Sequence, residues 1–285
     1  IGRLQTVLLH RPGQEIEHVT PQYLERLLFD DIPHLPFMQK EHDQFAVLLR
    51  QMGVEVLYLE ELLVETLATP ELRQAFVQDV VAESGLSPFY QVVDDLKTYL
   101  LSLPVRQMVR KAMGGVCKHE LRTEKVHLGQ FLDSTYPFYL DPLPNLYFTR
   151  DPATVIGDGV TVNSMCRRAR KRESLFIHYI LSYHPRFSHA KIPRWYDRQE
   201  LFALEGGDIL VLNERVVAIG ISDRTAPQAI EKMALQLFRH SSHVEKVVAI
   251  EIPKRRAFMH LDTVLTMVDL DQFIIHPAII EPYRT

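Results

Sequence analysis

A chain of 285 residues, 46% of them hydrophobic, is long enough to bury one large or two modest domains. Its formal net charge of −4 comes from acids and bases interleaved along the chain, which leaves no basic tail or stripe for nucleic acid or an anionic membrane surface. Only two cysteines are present, no apolar run approaches the roughly 20 residues that span a bilayer, and the amino terminus lacks the parts of a secretory signal, so reduced thiols, a cytoplasmic location and no membrane partner are expected.

The opening Leu4 to His10 reads as a buried strand, broken by Arg11-Pro12-Gly13. Thr20-Pro21 places an N-cap before a proline at the first helical position, with Tyr23, Leu24, Leu27 and Leu28 as the apolar face. A second helix carries Phe45, Leu48, Leu49 and Met52 and ends at Gly53, and Val54 to Leu59 is a strand. From Glu60 to about Leu132 helical periodicity recurs and no convincing strand appears. Thr69-Pro70 and Ser87-Pro88 each look like a cap with proline at N1, and Gly85 and Gly114 stand where helices should end. Residues 70–132 are therefore expected to form a helical insertion in an α/β domain made of 1–69 and 133–285.

After Asp133 an internal repeat becomes visible. Ala153 to Ile156 and Val160 to Val162 read as a hairpin around Gly157-Asp158-Gly159, followed by a helix from about Arg170 to Tyr183. Asp208 to Leu212 and Arg215 to Ile219 form a second hairpin, followed by a helix from about Ala226 to Phe238 and a strand from Lys246 to Ile252. Thr263 to Val268 and Phe273 to Ile275 make a third hairpin, with no helix after it. Copies of such a unit should pack around a common centre. The sequence stops inside a unit, and the natural protein is expected to continue.

Three unusual clusters flank these hairpins. In Asn145-Leu146-Tyr147-Phe148-Thr149-Arg150-Asp151-Pro152, Asp151 is either a turn residue before proline or a site carboxylate. In Glu205-Gly206-Gly207-Asp208, the glycines let the backbone approach a ligand or make a tight turn. In His260-Leu261-Asp262, alternation in an extended segment would point both polar side chains to one side, either as a satisfied loop pair or toward a shared substrate. Neither an HxxxH nor a Cys-His set is present, so no metal is expected. Lying at corresponding ends of repeated units, Asp151, Glu205, Asp262 and His260 would converge into a pocket too acidic for an anion. That pocket suits a planar cation, because two carboxylates clamp a guanidinium through paired charge-assisted hydrogen bonds.

The segments Leu8-Leu9-His10-Arg11-Pro12-Gly13, Glu41-His42-Asp43, Phe148-Thr149-Arg150-Asp151-Pro152, Glu205-Gly206-Gly207-Asp208, Gly220-Ile221-Ser222-Asp223-Arg224-Thr225 and Phe258-Met259-His260-Leu261-Asp262-Thr263 resemble arginine deiminases in order and spacing. The resemblance implies a five-fold pseudosymmetric α/β propeller, incomplete in this chain, with an inserted helical domain. It implies hydrolysis of free L-arginine to citrulline and ammonia without a cofactor, by a homo-oligomer. Asp151 and Asp262 would bind the guanidinium, His260 would be the general acid and base, and Glu205 would complete the clamp. Asn145, Arg170 and Arg224 match positions that hold the substrate α-carboxylate, and Phe148 would line the pocket. For Arg170 a solvated basic helix start, within Arg168 to Arg172, is the other reading.

The family mechanism uses a cysteine thiolate to attack the guanidinium carbon, with His260 as proton donor and then activator of water. In that family the nucleophile lies in a glycine-rich loop beyond Thr285. Neither Cys117 nor Cys166 matches it, and each reads as a buried or incidental thiol. The 285-residue chain alone is thus expected to be inactive. A non-catalytic arginine-binding or regulatory fragment and a related amidinotransferase are the alternatives, and the Arg170 and Arg224 pair favours a substrate with a free α-carboxylate.

Overall fold

The computed structural model describes residues 2–124, 128–132, 135–240, 243–254 and 256–279. The expected domain start at Asp133 and the chain end at Thr285 lie outside the described residues. The chain divides into two compact units, one of residues 4–148 with 179–188 and one of residues 1–3, 149–178 and 189–285.

In the unit of residues 4–148, β1 (Thr6–Leu9) pairs in parallel with β2 (Glu55–Tyr58), Thr6 opposite Glu55. Parallel neighbours need a crossover, and the 17-residue helix Leu35–Gln51 supplies it. The helices Leu59–Thr66, Pro70–Ala82, Gln91–Ser102 and Val105–Gly114 follow. Leu63, Phe76, Val80, Leu96, Leu100 and Val109 are fully buried among them. Phe76 and Val80, like Leu96 and Leu100, are four residues apart, which puts one stripe of their helix inward. Thr69 Oγ accepts from the Leu72 N–H at 3.4 Å, the cap expected there.

Three expectations fail in this unit. Ser87-Pro88 begins a turn rather than a helix: Tyr90 N–H closes onto the Ser87 carbonyl at 3.0 Å, and the helix starts at Gln91. After Thr20-Pro21 the helix is brief, a 3-10 turn Pro21–Tyr23 and one turn Leu24–Leu27, stopped by Leu28 at φ 63. Within the stretch read as helical, β3 (Val116–Cys117) pairs antiparallel with β4 (Phe138–Leu140). Two residues are too few to show an alternating pattern.

The other unit holds the repeat. The antiparallel hairpin β5 (Ala153–Ile156) and β6 (Gly159–Val162) is extended by β7 (Arg194–Tyr196), parallel to β6. The helix Lys171–Tyr183 stands between β6 and β7 in sequence. The next copy has the same plan: β8 (Ile209–Val211) antiparallel to β9 (Val216–Ile221), which is parallel to β10 (Lys246–Glu251), with the helix Pro227–His240 between them. Trp195, Ile209, Val217, Ile219, Ala229, Met233 and Leu237 form its core. β11 (Leu265–Asp269) and β12 (Gln272–Ile275) make the third hairpin. The class is α/β, and every hairpin and helix of the expected repeat is present. No described helix is long and apolar enough to cross a membrane.

Candidate active site

The polar residues that precede each hairpin meet within this second unit. The Asp151 carbonyl accepts from Gly206 N–H at 2.9 Å and from Asn163 Nδ2 at 2.7 Å, which ties the start of the first hairpin to the turn before the second. The two glycines of that turn are required by the protein's own groups. A Cβ on Gly206 would run into the Arg150 carbonyl oxygen, and one on Gly207 would stand 2.5 Å from His260 Nδ1. His260 is extended (φ −137, ψ 161) and caps the 3-10 turn Leu261–Thr263. Asp262 therefore leaves His260 along a turn and not along an alternating strand, as the sequence pattern had it.

Glu205, with no exposure, sits at the centre. Its Oε1 accepts from Cys166 N–H at 3.0 Å, and its Oε2 lies 2.8 Å from His260 Nε2, 3.5 Å from Arg224 Nη1 and 3.6 Å from Arg170 Nη1. Burial alone would raise its pKa, but the His260 hydrogen bond and the surrounding cations outweigh this and hold it below the usual carboxylate range. For His260, burial favours the neutral ring; the Glu205 hydrogen bond and the carboxylates of Asp151, Glu205 and Asp208 win and raise its pKa.

Arg170 is buried, so a solvated helix start is excluded for it. Its Nη1 donates to Asp151 Oδ2 at 2.8 Å, and its Nε and Nη2 donate to Glu173 at 2.9 and 2.8 Å. Burial pushes the Glu173 carboxyl up to about 7 despite Arg170 beside it. Sequence reasoning passed over Glu173, although the i,i+3 spacing from Arg170 on a helix was a usable signal. Asp262 is partly exposed, with Arg150 Nη1 at 4.0 Å; burial raises its pKa, and His260 and Arg150 oppose the rise.

Asp208, also unassigned from sequence, links the Glu205 turn to the His260 cluster and to the segment Ser222 to Thr225. Its Oδ1 accepts from Leu261 N–H at 2.9 Å and its Oδ2 from the Ser222 hydroxyl at 2.7 Å. Ser222 Oγ in turn accepts from the N–H groups of Arg224 and Thr225, at 3.0 and 3.1 Å, and Thr225 Oγ accepts from Glu205 N–H at 3.1 Å. Burial pushes the Asp208 carboxyl up to about 6. A carboxyl with a raised native pKa keeps a proton that the unfolded chain has lost, so stability falls as pH rises from about 4 to about 6. Asp208→Asn cannot titrate, and its melting temperature should gain on that of the parent across this window, by up to about 3 kcal/mol in stability. Parallel Tm profiles between pH 4 and 7 would contradict the raised pKa.

Asn145 and Phe148 belong to the first unit. The Asn145 amide donates to the Leu27 carbonyl at 2.9 Å, next to the left-handed Leu28, and Phe148 is 44% exposed with its ring 4.0 Å from that of Tyr147. Cys117 lies in the same unit, and burial raises its thiol pKa. Cys166 is nearer the acidic cluster than its sequence position suggested: besides its N–H on Glu205, its thiol donates to the Asp223 carbonyl at 3.3 Å. A cavity of about 550 Å³ in the first unit is lined by His10, Glu15, Tyr58 and Arg110 among others. Its polar groups are already partnered, His10 with Glu15 at 3.0 Å and Arg110 with Glu60 at 2.9 Å. No group of three or more His, Cys, Asp or Glu among the described residues is arranged to hold a metal ion.

Carboxylates of Asp151, Glu205 and Asp262 around an imidazole whose pKa is raised can bind a cation and move a proton beside it. The arginine deiminase family profile matches residues 25–285. An arginine deiminase from Bacillus cereus strain B4264 is 56% identical over 283 residues, 99% of this chain and 69% of that protein. One from Staphylococcus aureus strain JH9 is 54% identical over 282 residues, 99% of this chain and 68% of that protein. Among solved structures, DDAH from Pseudomonas aeruginosa, a cysteine-to-serine mutant complexed with citrulline, has the same α/β fold (TM-score 0.53, 13% identity, 95% of this chain and 69% of that one). By profile and by identity over nearly its whole length, this chain belongs to the arginine deiminase family.

Proposed function

We propose that this chain carries the guanidinium-binding and acid–base part of an enzyme that hydrolyses free L-arginine to L-citrulline and ammonia. The observation that carries the reading is the buried ion pair between His260 and Glu205, 2.8 Å apart, with Asp151 and Asp262 beside it. Asp151 and Asp262 bind the substrate guanidinium and hold its positive charge next to the reacting carbon. A cysteine thiolate supplied from outside these 285 residues attacks that carbon, and His260 gives its proton to the departing ammonia. His260 then takes a proton from water, which attacks the amidino-cysteine to release citrulline and the thiol. Glu205, fully enclosed and bonded to His260, supports that imidazole as much as it binds substrate. The same reading makes the repeated sheets part of a five-fold propeller with residues 70–132 inserted, in a cytoplasmic homo-oligomer. The 285-residue chain alone would release no citrulline.

Arg224, buried with its guanidinium 3.5 Å from Glu205 and from Met259 Sδ, is assigned with Arg170 to the substrate carboxylate. Arg224→Ala is expected to weaken arginine by roughly 10- to 100-fold, the worth of one charged hydrogen bond, and to leave agmatine, which lacks the carboxylate, nearly unchanged. Comparing kcat/KM for the two ligands checks it; an undiminished preference for arginine would remove Arg224 from the carboxylate site.

A further inference from the structure

Asp151, read above as a clamp for the substrate guanidinium, already holds a guanidinium. Arg170 Nη1 stands 2.8 Å from Asp151 Oδ2 and 3.6 Å from Glu205 Oε2, while its Nε–Nη2 edge is gripped by Glu173, so one planar cation bridges the acidic cluster and a fully buried anchor. A second guanidinium bound through both Asp151 oxygens would share Oδ2 with Arg170 Nη1, and two cations side by side in one buried site repel. A buried arginine leaves one anion cheaply only when another anion replaces it. A ligand with a carboxylate brings that replacement with it; a ligand without one does not.

We propose that Arg170 is a specificity-determining residue that works by occupation. Held by Glu173, it occupies one oxygen of the guanidinium clamp at Asp151, and a ligand whose carboxylate draws Nη1 away gains entry most readily. This rests on the reading of Asp151 as a carboxylate that binds the substrate guanidinium, and goes beyond it. Arg224 selects free arginine by attraction, whereas the Arg170–Glu173 pair rejects carboxylate-free guanidines by requiring them to displace a cation unaided.

The test is calorimetric binding of arginine and of agmatine to the full-length enzyme and to its R170Q/E173Q form, both with the nucleophilic cysteine replaced by Ser so that arginine is not consumed; the double change removes the cation and its anchor together. Agmatine is expected to bind the double variant about tenfold or more tighter than the parent, while arginine weakens and the preference between them collapses. If arginine weakens and agmatine does not gain, Arg170 only binds the carboxylate and occupation is overturned. If the parent binds neither ligand, the reading of the site itself fails, which is a different result. A second measurement leaves Arg170 and Glu173 in place: a crystal structure of the cysteine-to-serine enzyme with arginine bound. Arg170 Nη1 should lie beyond about 4 Å from Asp151 and face the ligand carboxylate, past salt-bridge range. Arginine on Asp151 with the 2.8 Å pair intact would overturn the proposal.

Discussion

Replacing Asp151 by Asn is expected to lower kcat/KM for arginine by about 10² to 10³, a loss of roughly 3–4 kcal/mol in transition-state stabilisation, and to leave the fold in place. The two parts of Asp151 do different things. Its backbone carbonyl joins the hairpins through Gly206 and Asn163, and the substitution does not touch it. Its side chain supplies a charge and paired acceptors, and an amide has neither the charge nor the second acceptor. Arg170 also loses an anionic partner, but Glu173 still holds its other edge. Steady-state kinetics together with a melting curve separate the effects: near-parental kcat/KM in Asp151→Asn would remove this carboxylate from the reaction.

The hairpins were readable because apolar runs bounded by Gly157-Asp158-Gly159 and Asn213-Glu214 carry both the strand and the turn signal locally. The site was readable in its residues and less so in their partners. Asp151, Glu205, His260 and Asp262 stood out as polar groups at repeated positions. That His260 pairs with Glu205, 55 residues away, depends on how the units pack. Arg170 and Arg172 sit in a run of basic residues that suggests a solvated face, yet both are buried, since burial is decided by neighbours that a charge run cannot reveal. Glu173 was hidden in the same run. Asp208 read as a strand residue because its role consists of accepting N–H and O–H groups from segments distant in sequence. The two glycines before it were understood as backbone freedom, and only the packed structure shows the His260 ring and the Arg150 carbonyl that require them.

A second large effect is expected at the nucleophile. Cys117 is in the other unit, with its thiol pKa raised by burial and so poorly ionised at neutral pH. The Cys166 thiol donates to the Asp223 carbonyl, and it is the Cys166 backbone N–H, which every residue but proline retains, that holds Glu205. On the function proposed above, neither thiol is the nucleophile. The most direct measurement is therefore citrulline formation from L-arginine by the full-length enzyme with Cys117 and Cys166 both changed to Ser, beside the 285-residue polypeptide assayed alone. The double variant should keep kcat within about twofold of its parent, since no covalent step is lost, and the lone polypeptide should form no citrulline. Citrulline released by the lone polypeptide, or turnover abolished by replacing Cys166, would place the nucleophile within this chain and contradict the division of the site proposed for it.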